Sequence, residues 1–461
     1  MRILERLGPP SCPPFVSLRH RIDTMGEACH SVAMGQPLSA AATTIGSGSR
    51  RVVIAVSVGN LIEAYDLLLY GYFATTFAQL FFPRGDPTAA LLNTFAIFAV
   101  GFAARPLGGI VIGHVGDRLG RRTALAASIL AMAGATLGIG LLPTYRSIGV
   151  WAPLLLLLCR LLQGFSAGGE IVGAGILIQE HASPGRSGRW VSVNQVAAQV
   201  GIAAAATTSL VLARVLSQAE LASWGWRLPF FAAAPLAIVG LYLRLRIPDS
   251  PAFRAVEARR LAFPLGAALR TAKRGMLIYG AWWAMLGVGA YLLIAYLASY
   301  LIRVVGLDTA GAFGVALASV AIFAAGAVAG GHLVDRYPPQ LVALAAAIGI
   351  AVTAVPSFLV VQQGSVVAVI VGLAPWAAFL GAASTFGVTL SVSLFPVVEV
   401  RYTAAALAHN LTIMLFGSTG PYVSAWLVDR TGNPIIPAWY LVVLALISLP
   451  VAAIALRGRN S

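Results

Sequence analysis

Charge is what this sequence has least of: 10% of its 461 residues are Asp, Glu, Lys or Arg, while 59% are hydrophobic. Its mean hydropathy is +0.85. A water-soluble domain needs far more polar surface to cover its core, so ordinary soluble enzymes and binding modules are excluded. Cysteine is nearly missing too. Cys12, Cys29 and Cys159 stand far apart, at no metal or redox spacing, which excludes a disulfide framework or a thiolate metal centre. No phosphate-cradling glycine loop, nucleophile–base pair or metal cluster occurs at meaningful spacing, so no enzymatic activity, metal or cofactor is expected. The first 49 residues hold no apolar run long enough for a signal sequence. With Pro9, Pro10, Pro13, Pro14 and several bases, they read as a disordered cytoplasmic tail. The alternative is an upstream extension, with translation starting at Met25 or Met34.

What is present is a series of long apolar runs. They lie near 52–78, 89–113, 122–143, 151–180, 190–214, 227–246, 275–303, 310–333, 341–362, 365–395, 402–428 and 437–456. Each meets the roughly 20 residues that a spanning helix requires. Open sheets cannot satisfy their backbones in lipid, and the runs are too long and too uniformly apolar for barrel strands. The expected class is an all-α membrane protein with twelve transmembrane helices.

The net charge of +15 does not point to nucleic acid, because the bases sit in loops between the runs rather than on one face. One set of connections and ends holds 19 bases: Arg50, Arg51, Arg118, Arg121, Arg122, Arg186, Arg189, Arg244, Arg246, Arg254, Arg259, Arg260, Arg270, Lys273, Arg274, Arg336, Arg401, Arg457 and Arg459. The other set holds six: Arg84, Arg146, Arg214, Arg227, Arg303 and Arg430. Positive charge resists translocation, so both termini are expected in the cytoplasm of a multi-pass protein of the bacterial inner membrane.

The longest polar connection, 247–274, follows the sixth run and divides the chain. The expected parts are a tail 1–49, a six-helix bundle 50–246, a cytoplasmic linker 247–274, a second six-helix bundle 275–457 and a tail 458–461. A repeat supports the division: Gly-His-Val-Gly-Asp-Arg at 113–118 returns as Gly-His-Leu-Val-Asp-Arg at 331–336. Two pseudo-symmetric bundles with a solute path between them suit a rocking carrier. Asp117, Arg118, Arg121 and Arg122, with Asp335 and Arg336, then read as a cytoplasmic gate that never touches solute.

Five ionisable residues stand inside apolar runs, where each costs at least about 2.5–3.5 kcal/mol unless it is paired or wet. Asn60, Glu63, Asp66 and Tyr70 follow one another at three- or four-residue steps, which places them along one helical stripe. Arg160, Gln163 and Glu170 form a second stripe. Arg105 lies 12 residues before Asp117, about 18 Å into the membrane at a rise of ~1.5 Å per residue. Three acids thus face two permanently charged arginines. One carboxylate is left over, and away from water an unpartnered carboxylate is more stable protonated. Asp66 and Glu63 are the first candidates for proton coupling, with Glu170 competing. Static ion pairing is the alternative.

Arg105 and Arg160 suit a carboxylate solute, or else each is consumed by an internal acid. Asn60, Tyr70, Gln163, Gln195 and Tyr291 are further candidates for solute contact. Gln199, Tyr296, Tyr300, His409 and Asn410 could complete a pocket, and most of the tyrosines suit packing or interfacial roles equally well.

At 105–122 the string Arg-Pro-Leu-Gly-Gly-x3-Gly-His-x-Gly-Asp-Arg-x-Gly-Arg-Arg resembles the signature loop of the major facilitator superfamily. Gly59-Asn60-x2-Glu63-x-Tyr65-Asp66, Arg160-Leu-Leu-Gln-Gly-Phe-Ser-x-Gly-Gly-Glu170, Trp224-Gly-Trp-Arg-x-Pro-Phe230, Asp249-Ser-Pro-x-Phe253 and Arg401-Tyr402 are similar to its metabolite:proton symporters. The resemblance implies the major facilitator fold and proton symport of a small organic acid or zwitterion into the cell. Dicarboxylate, 2-oxoglutarate, citrate, shikimate, proline and betaine carriers are the relatives it suggests. A monomer in the lipid bilayer is expected, with protons as co-substrate and no nucleic acid. The alternatives are a facilitator or efflux antiporter of this fold, or a non-transporting membrane sensor. Ala64 replaces the family's usual tryptophan, and Asp335-Arg-Tyr-Pro-Pro-Gln lacks its Gly-Arg-Arg.

Overall fold

A computed structural model describes residues 47–83, 85–119, 121–168, 170–182, 185–244 and 264–457. Expectations for 1–46, for most of the linker and for 458–461 fall outside the described residues. So do the side chains of Asp117, Arg118, Arg121, Arg122 and Glu170.

The described residues are helical, with no strand among them. In chain order the helices are α1 (Ser47–Tyr72), α2 (Ala74–Phe81), α3 (Pro87–Ala103), α4 (Arg105–Leu119), α5 (Arg121–Leu141), α6 (Tyr145–Ile148), α7 (Trp151–Ala167), α8 (Glu170–His181), α9 (Ser187–Val215) and α10 (Gln218–Ser223). They continue as α11 (Leu228–Arg244), α12 (Pro264–Thr271), α13 (Lys273–Tyr291), α14 (Leu297–Tyr300), α15 (Thr309–Arg336), α16 (Pro339–Val361), α17 (Val366–Leu394), α18 (Val398–Thr412), α19 (Gly420–Thr431) and α20 (Ile436–Arg457). Among the described residues, ten segments are long and apolar enough to cross a membrane. Two shorter apolar helices, Ala126–Leu141 and Ile436–Pro450, stand where the third and twelfth runs are expected.

The ends of the helices follow from local chemistry. Asp86 accepts a hydrogen bond from the Thr88 amide at 2.8 Å and precedes Pro87 at the first position of α3, a start that leaves few amides orphaned. Ser217 and Glu220 cap α10 reciprocally. The amide and then the hydroxyl of Ser217 donate to the Glu220 carboxylate and hold its pKa below the usual range. Arg227 donates to the carbonyls of Gly140 at 2.6 Å and Leu142 at 2.8 Å, satisfying the C-terminal end of α5. That contact gives a structural role to the Trp-Gly-Trp-Arg string. Interior prolines stand at 235, 356, 375 and 450, each on an exposed face of its helix.

Three π-helical turns interrupt the regular ladders. Leu292–Tyr296 and Leu301–Val305 flank α14, and Ile413–Gly417 follows α18. A single widened turn of this kind concentrates at functional positions.

Packing in the first half brings α5 against α7 and α11, and α7 against α3 and α4. In the second half α17 packs on α15 and α16, and α13 on α18 and α20. Contacts between the halves run through α9 with α15 and α4 with α18. Gly164 marks one of the closest crossings, since a Cβ there would overlap the carbonyl oxygen of Gly101. Small residues at such crossings let helix backbones touch, and this crossing lies beside both buried arginines.

Candidate functional site

Arg105 opens α4 just after the helix break at Ala104, and Arg160 lies on α7 across the glycine crossing. Both guanidiniums are almost wholly buried, at 1% and 2% exposure. They are held differently. Arg105 Nη2 lies 3.5 Å from Glu63 Oε1 on α1, and its guanidinium carbon stands 4.5 Å above the Phe102 ring. Arg160 has no carboxylate within ion-pair distance among the described residues. Its guanidinium rests over the rings of Tyr70 at 4.5 Å and Phe98 at 5.0 Å, and Nη1 donates to Gln163 Oε1 at 2.8 Å. Its Nε has no hydrogen-bond partner. Aromatic faces offset part of the cost of desolvating a cation. They leave its donors open to an anion.

Asp66 is as deeply buried as Arg160, yet the two are joined only through neutral groups. Gln163 Nε2 donates to Thr136 Oγ1 at 2.7 Å, and Thr136 Oγ1 donates to Asp66 Oδ2 at 3.3 Å. Every donor points the same way, from Arg160 through Gln163 and Thr136 to Asp66, so the chain is polarised toward an ionised carboxylate. Asp66 Oδ1 has no hydrogen-bond partner.

Glu63 consumes Arg105, while Arg160 and Asp66 are linked by a relay.

The second half meets this cluster with aromatic and polar side chains. Tyr291, the last residue of α13, lies edge-on to Phe102 at 5.4 Å and to Phe98 at 5.9 Å. On α18 the buried His409 sits edge-on against Trp283 at 4.4 Å. Its neighbour Asn410 donates to the carbonyl of Gly168 at 2.6 Å, tying α18 to the end of α7.

Other expected site residues turn out to position rather than to offer themselves. Asn60 donates to the carbonyl of Asn194 on α9 at 3.1 Å, and the Tyr70 hydroxyl donates to the carbonyl of Thr94 at 2.9 Å. Gln195 is half-buried on α9 and makes no hydrogen bond to the cluster. Asp335, near the end of α15, accepts from the amides of Gly188 at 2.8 Å and Arg189 at 3.1 Å at the start of α9. The Arg189 side chain adds an ion pair at 3.6 Å. A Cβ at 188 would collide with the Gly331 carbonyl, so α9 and α15 meet backbone to backbone there. Arg336 is exposed and lies over Tyr337 at 5.7 Å.

Sequence reasoning passed over Thr136, Phe98, Phe102 and Gln179. Thr136 was visible only as one hydroxyl in an apolar helix. Phe98, Phe102 and Arg105 follow one another at steps of four and three, a usable signal. Gln179 donates to the Val388 carbonyl at 3.1 Å and so links α8 to α17. Nothing in its local sequence marks it.

Residues 52–262 match the family described as sugar (and other) transporter. The chain is 33% identical over 426 residues to the proline/betaine transporter of Escherichia coli (strain K12), covering 87% of this chain and 82% of that protein. It is 34% identical over 416 residues to the glycine betaine/proline/ectoine/pipecolic acid transporter OusA of Dickeya dadantii (strain 3937), with 87% and 82% covered. Among solved structures it resembles the proton:xylose symporter XylE bound to 6-bromo-6-deoxy-D-glucose, at a TM-score of 0.71 and 16% identity over 88% of this chain and 95% of that one. A partially occluded inward open conformation of XylE from E. coli gives a TM-score of 0.70 at 17% identity, over 88% and 97%. At such identities these structures speak for the fold alone.

Proposed function

This chain belongs to the major facilitator superfamily, beside the proline/betaine transporters, and from that premise we propose that it carries a small carboxylate-bearing solute or zwitterion into the cell together with a proton. The proposed arrangement is twelve spans in two six-helix bundles, with both termini in the cytoplasm of a bacterial inner membrane. The protein works as a monomer by alternating access.

One observation supports this most: Arg160 is a buried permanent cation with an open donor and no carboxylate partner among the described residues. Burying such a charge costs several kcal/mol, only partly recovered from ring faces. A solute carboxylate supplies the missing partner through two parallel hydrogen bonds. Proline and betaine, which similar proteins are named for, both carry that group.

The relay gives a coupling step. While Asp66 is ionised, Thr136, Gln163 and the Nη1 of Arg160 are all drawn toward it. A proton on Asp66 Oδ2 removes the acceptor for Thr136, slackens the chain and frees Nη1 for the solute. The proton then neutralises Asp66 and the solute carboxylate neutralises Arg160, which lowers the cost of reorienting these buried groups across lipid.

Uptake into proteoliposomes tests this, with labelled proline and glycine betaine as probes and an imposed proton gradient. A protonophore is expected to collapse accumulation, and free carboxylates are expected to compete where their amides do not. Accumulation that survives the protonophore indicates another driving force, uptake that only equilibrates indicates a facilitator, and equal competition by amides removes the carboxylate reading.

Asp335 acts in this scheme as a latch on the cytoplasmic side. Losing a cap of this kind costs about 1 kcal/mol, enough to shift a balanced two-state equilibrium roughly fivefold. Asp335→Ala is therefore expected to raise cytoplasmic-side labelling of a cysteine placed at Ala382, which packs against Gly330 five residues before Asp335, by about that factor. Unchanged labelling contradicts the role.

A further inference from the structure

Apart from the arginine cluster, α1, α5 and α11 enclose a small cavity of about 20 Å³. Glu63 and Asp66 face it from α1, Met132 and Ala133 from α5, and Ala237 from α11. None of its lining comes from the second half of the chain. Such a space suffices for one water molecule, which needs about 10–15 Å³ and several polar partners. It is far too small for an amino acid or a betaine. Asp66, whose Oδ1 has no hydrogen-bond partner, and Glu63, beside Arg105, are the two acidic residues of its lining.

The cavity also has a direction. Gly59, another lining residue, precedes Asp66 by seven positions, about 10 Å along the helix axis. Gly240, on its α11 wall, stands four positions before Arg244. Both lie toward the end of the bundle that holds Ser47 and Arg244, the cytoplasmic end in the orientation proposed above.

We infer that this cavity is a proton exit from Asp66 to the cytoplasm, separate from the path of the solute. The inference rests on the proton-coupled reading. In the release step the carboxyl group of Asp66 turns its protonated oxygen from Thr136 to the cavity, and the bond between that oxygen and its proton breaks. The proton joins the cavity water as hydronium, and the negative charge stays on the carboxylate, where Thr136 donates to it again. Among the described residues, the other charged groups near Asp66 are Glu63 on its own helix, already beside Arg105 of α4, and Arg160 of α7 behind Gln163. The lining residues of α5 and α11 bring none. Solute leaves by its own route, and the size of the cavity keeps the two flows apart.

Filling the cavity tests this in proteoliposomes, by proton-driven uptake and by counterflow exchange, which needs no net proton release. Ala237→Leu is expected to slow uptake about tenfold while exchange stays within about twofold. Adding Met132→Ala returns the volume and is expected to restore uptake. Full uptake in A237L overturns the inference, as does an equal loss of uptake and exchange. If A237L does not reach the membrane, Ala133→Val is read by the same two assays. Asp66→Asn runs in parallel: uphill uptake in that variant rejects proton coupling itself, whereas its loss beside a normal A237L rejects only the exit.

Discussion

Replacing Arg160 by glutamine is expected to weaken solute binding by roughly a hundredfold or more. Losing one member of a desolvated, hydrogen-bonded charge pair costs about 2–5 kcal/mol. At about 1.4 kcal/mol per factor of ten, that is some thirtyfold to several thousandfold. The loss belongs in KM and in ligand-induced thermal stabilisation, because glutamine can still reach Gln163 and keep the interior ordered. Arg160→Lys separates charge from shape. An ammonium keeps the charge without the planar fork and does not lie flat on Tyr70 and Phe98 as a guanidinium does, so it is expected to recover only part of the affinity. A purely structural arginine gives another pattern: R160Q melts earlier, yet proline or betaine still stabilises it by the wild-type increment. That result removes Arg160 from solute recognition.

Asp66→Asn is expected to abolish concentrative uptake while sparing exchange. One positive charge moving with a neutral zwitterion across about 100 mV supplies about 2.3 kcal/mol. That corresponds to roughly fortyfold accumulation. Without a titrating group at 66, accumulation falls to the equilibrium value of one. Asparagine resembles the protonated acid in shape and charge, and with its amide group toward Thr136 it offers no acceptor at the 3.3 Å contact, just as the protonated Oδ2 does not. The solute path therefore stays assembled, and labelled solute still exchanges with unlabelled. Wild-type uptake is expected to rise as external pH falls, because the loaded carrier must be protonated, and the variant should show a flat profile. Uphill accumulation in D66N sinks proton coupling through this residue.

The helical class and the placement of charge were legible because lipid leaves few choices: apolar runs of spanning length, and a costly charge wherever one interrupts them. Glu63, Asp66, Arg105 and Arg160 are all buried as their spacing predicts. Their partners were not legible. Charge counting treats the two arginines alike, but among the described residues the ion pair goes to Arg105, and Arg160 is seated on the ring of Phe98, which sequence reasoning passed over, and on that of Tyr70. Tyr70 and Asn60 read as solute contacts, whereas tertiary placement spends both on main-chain carbonyls. Thr136 is one hydroxyl among several in apolar helices, and only the meeting of α5 with α1 and α7 turns it into a relay. Helix periodicity predicts which residues share a face. Which face meets which is set by crossings such as that of Gly164 with Gly101.

At the contact of Asp335 with α9, one side is a carboxylate and the other is two peptide amides. The identity of residue 189 then matters little, since any amino acid except proline supplies the same N–H and the half-exposed Arg189 side chain adds only a weak ion pair. Drift is expected at 189, while 188 is held to glycine by the Gly331 carbonyl and 335 to an acceptor. Homologues should accordingly vary on one partner and stay fixed on the other, so a covariation search would miss this contact although it joins the two halves of the molecule.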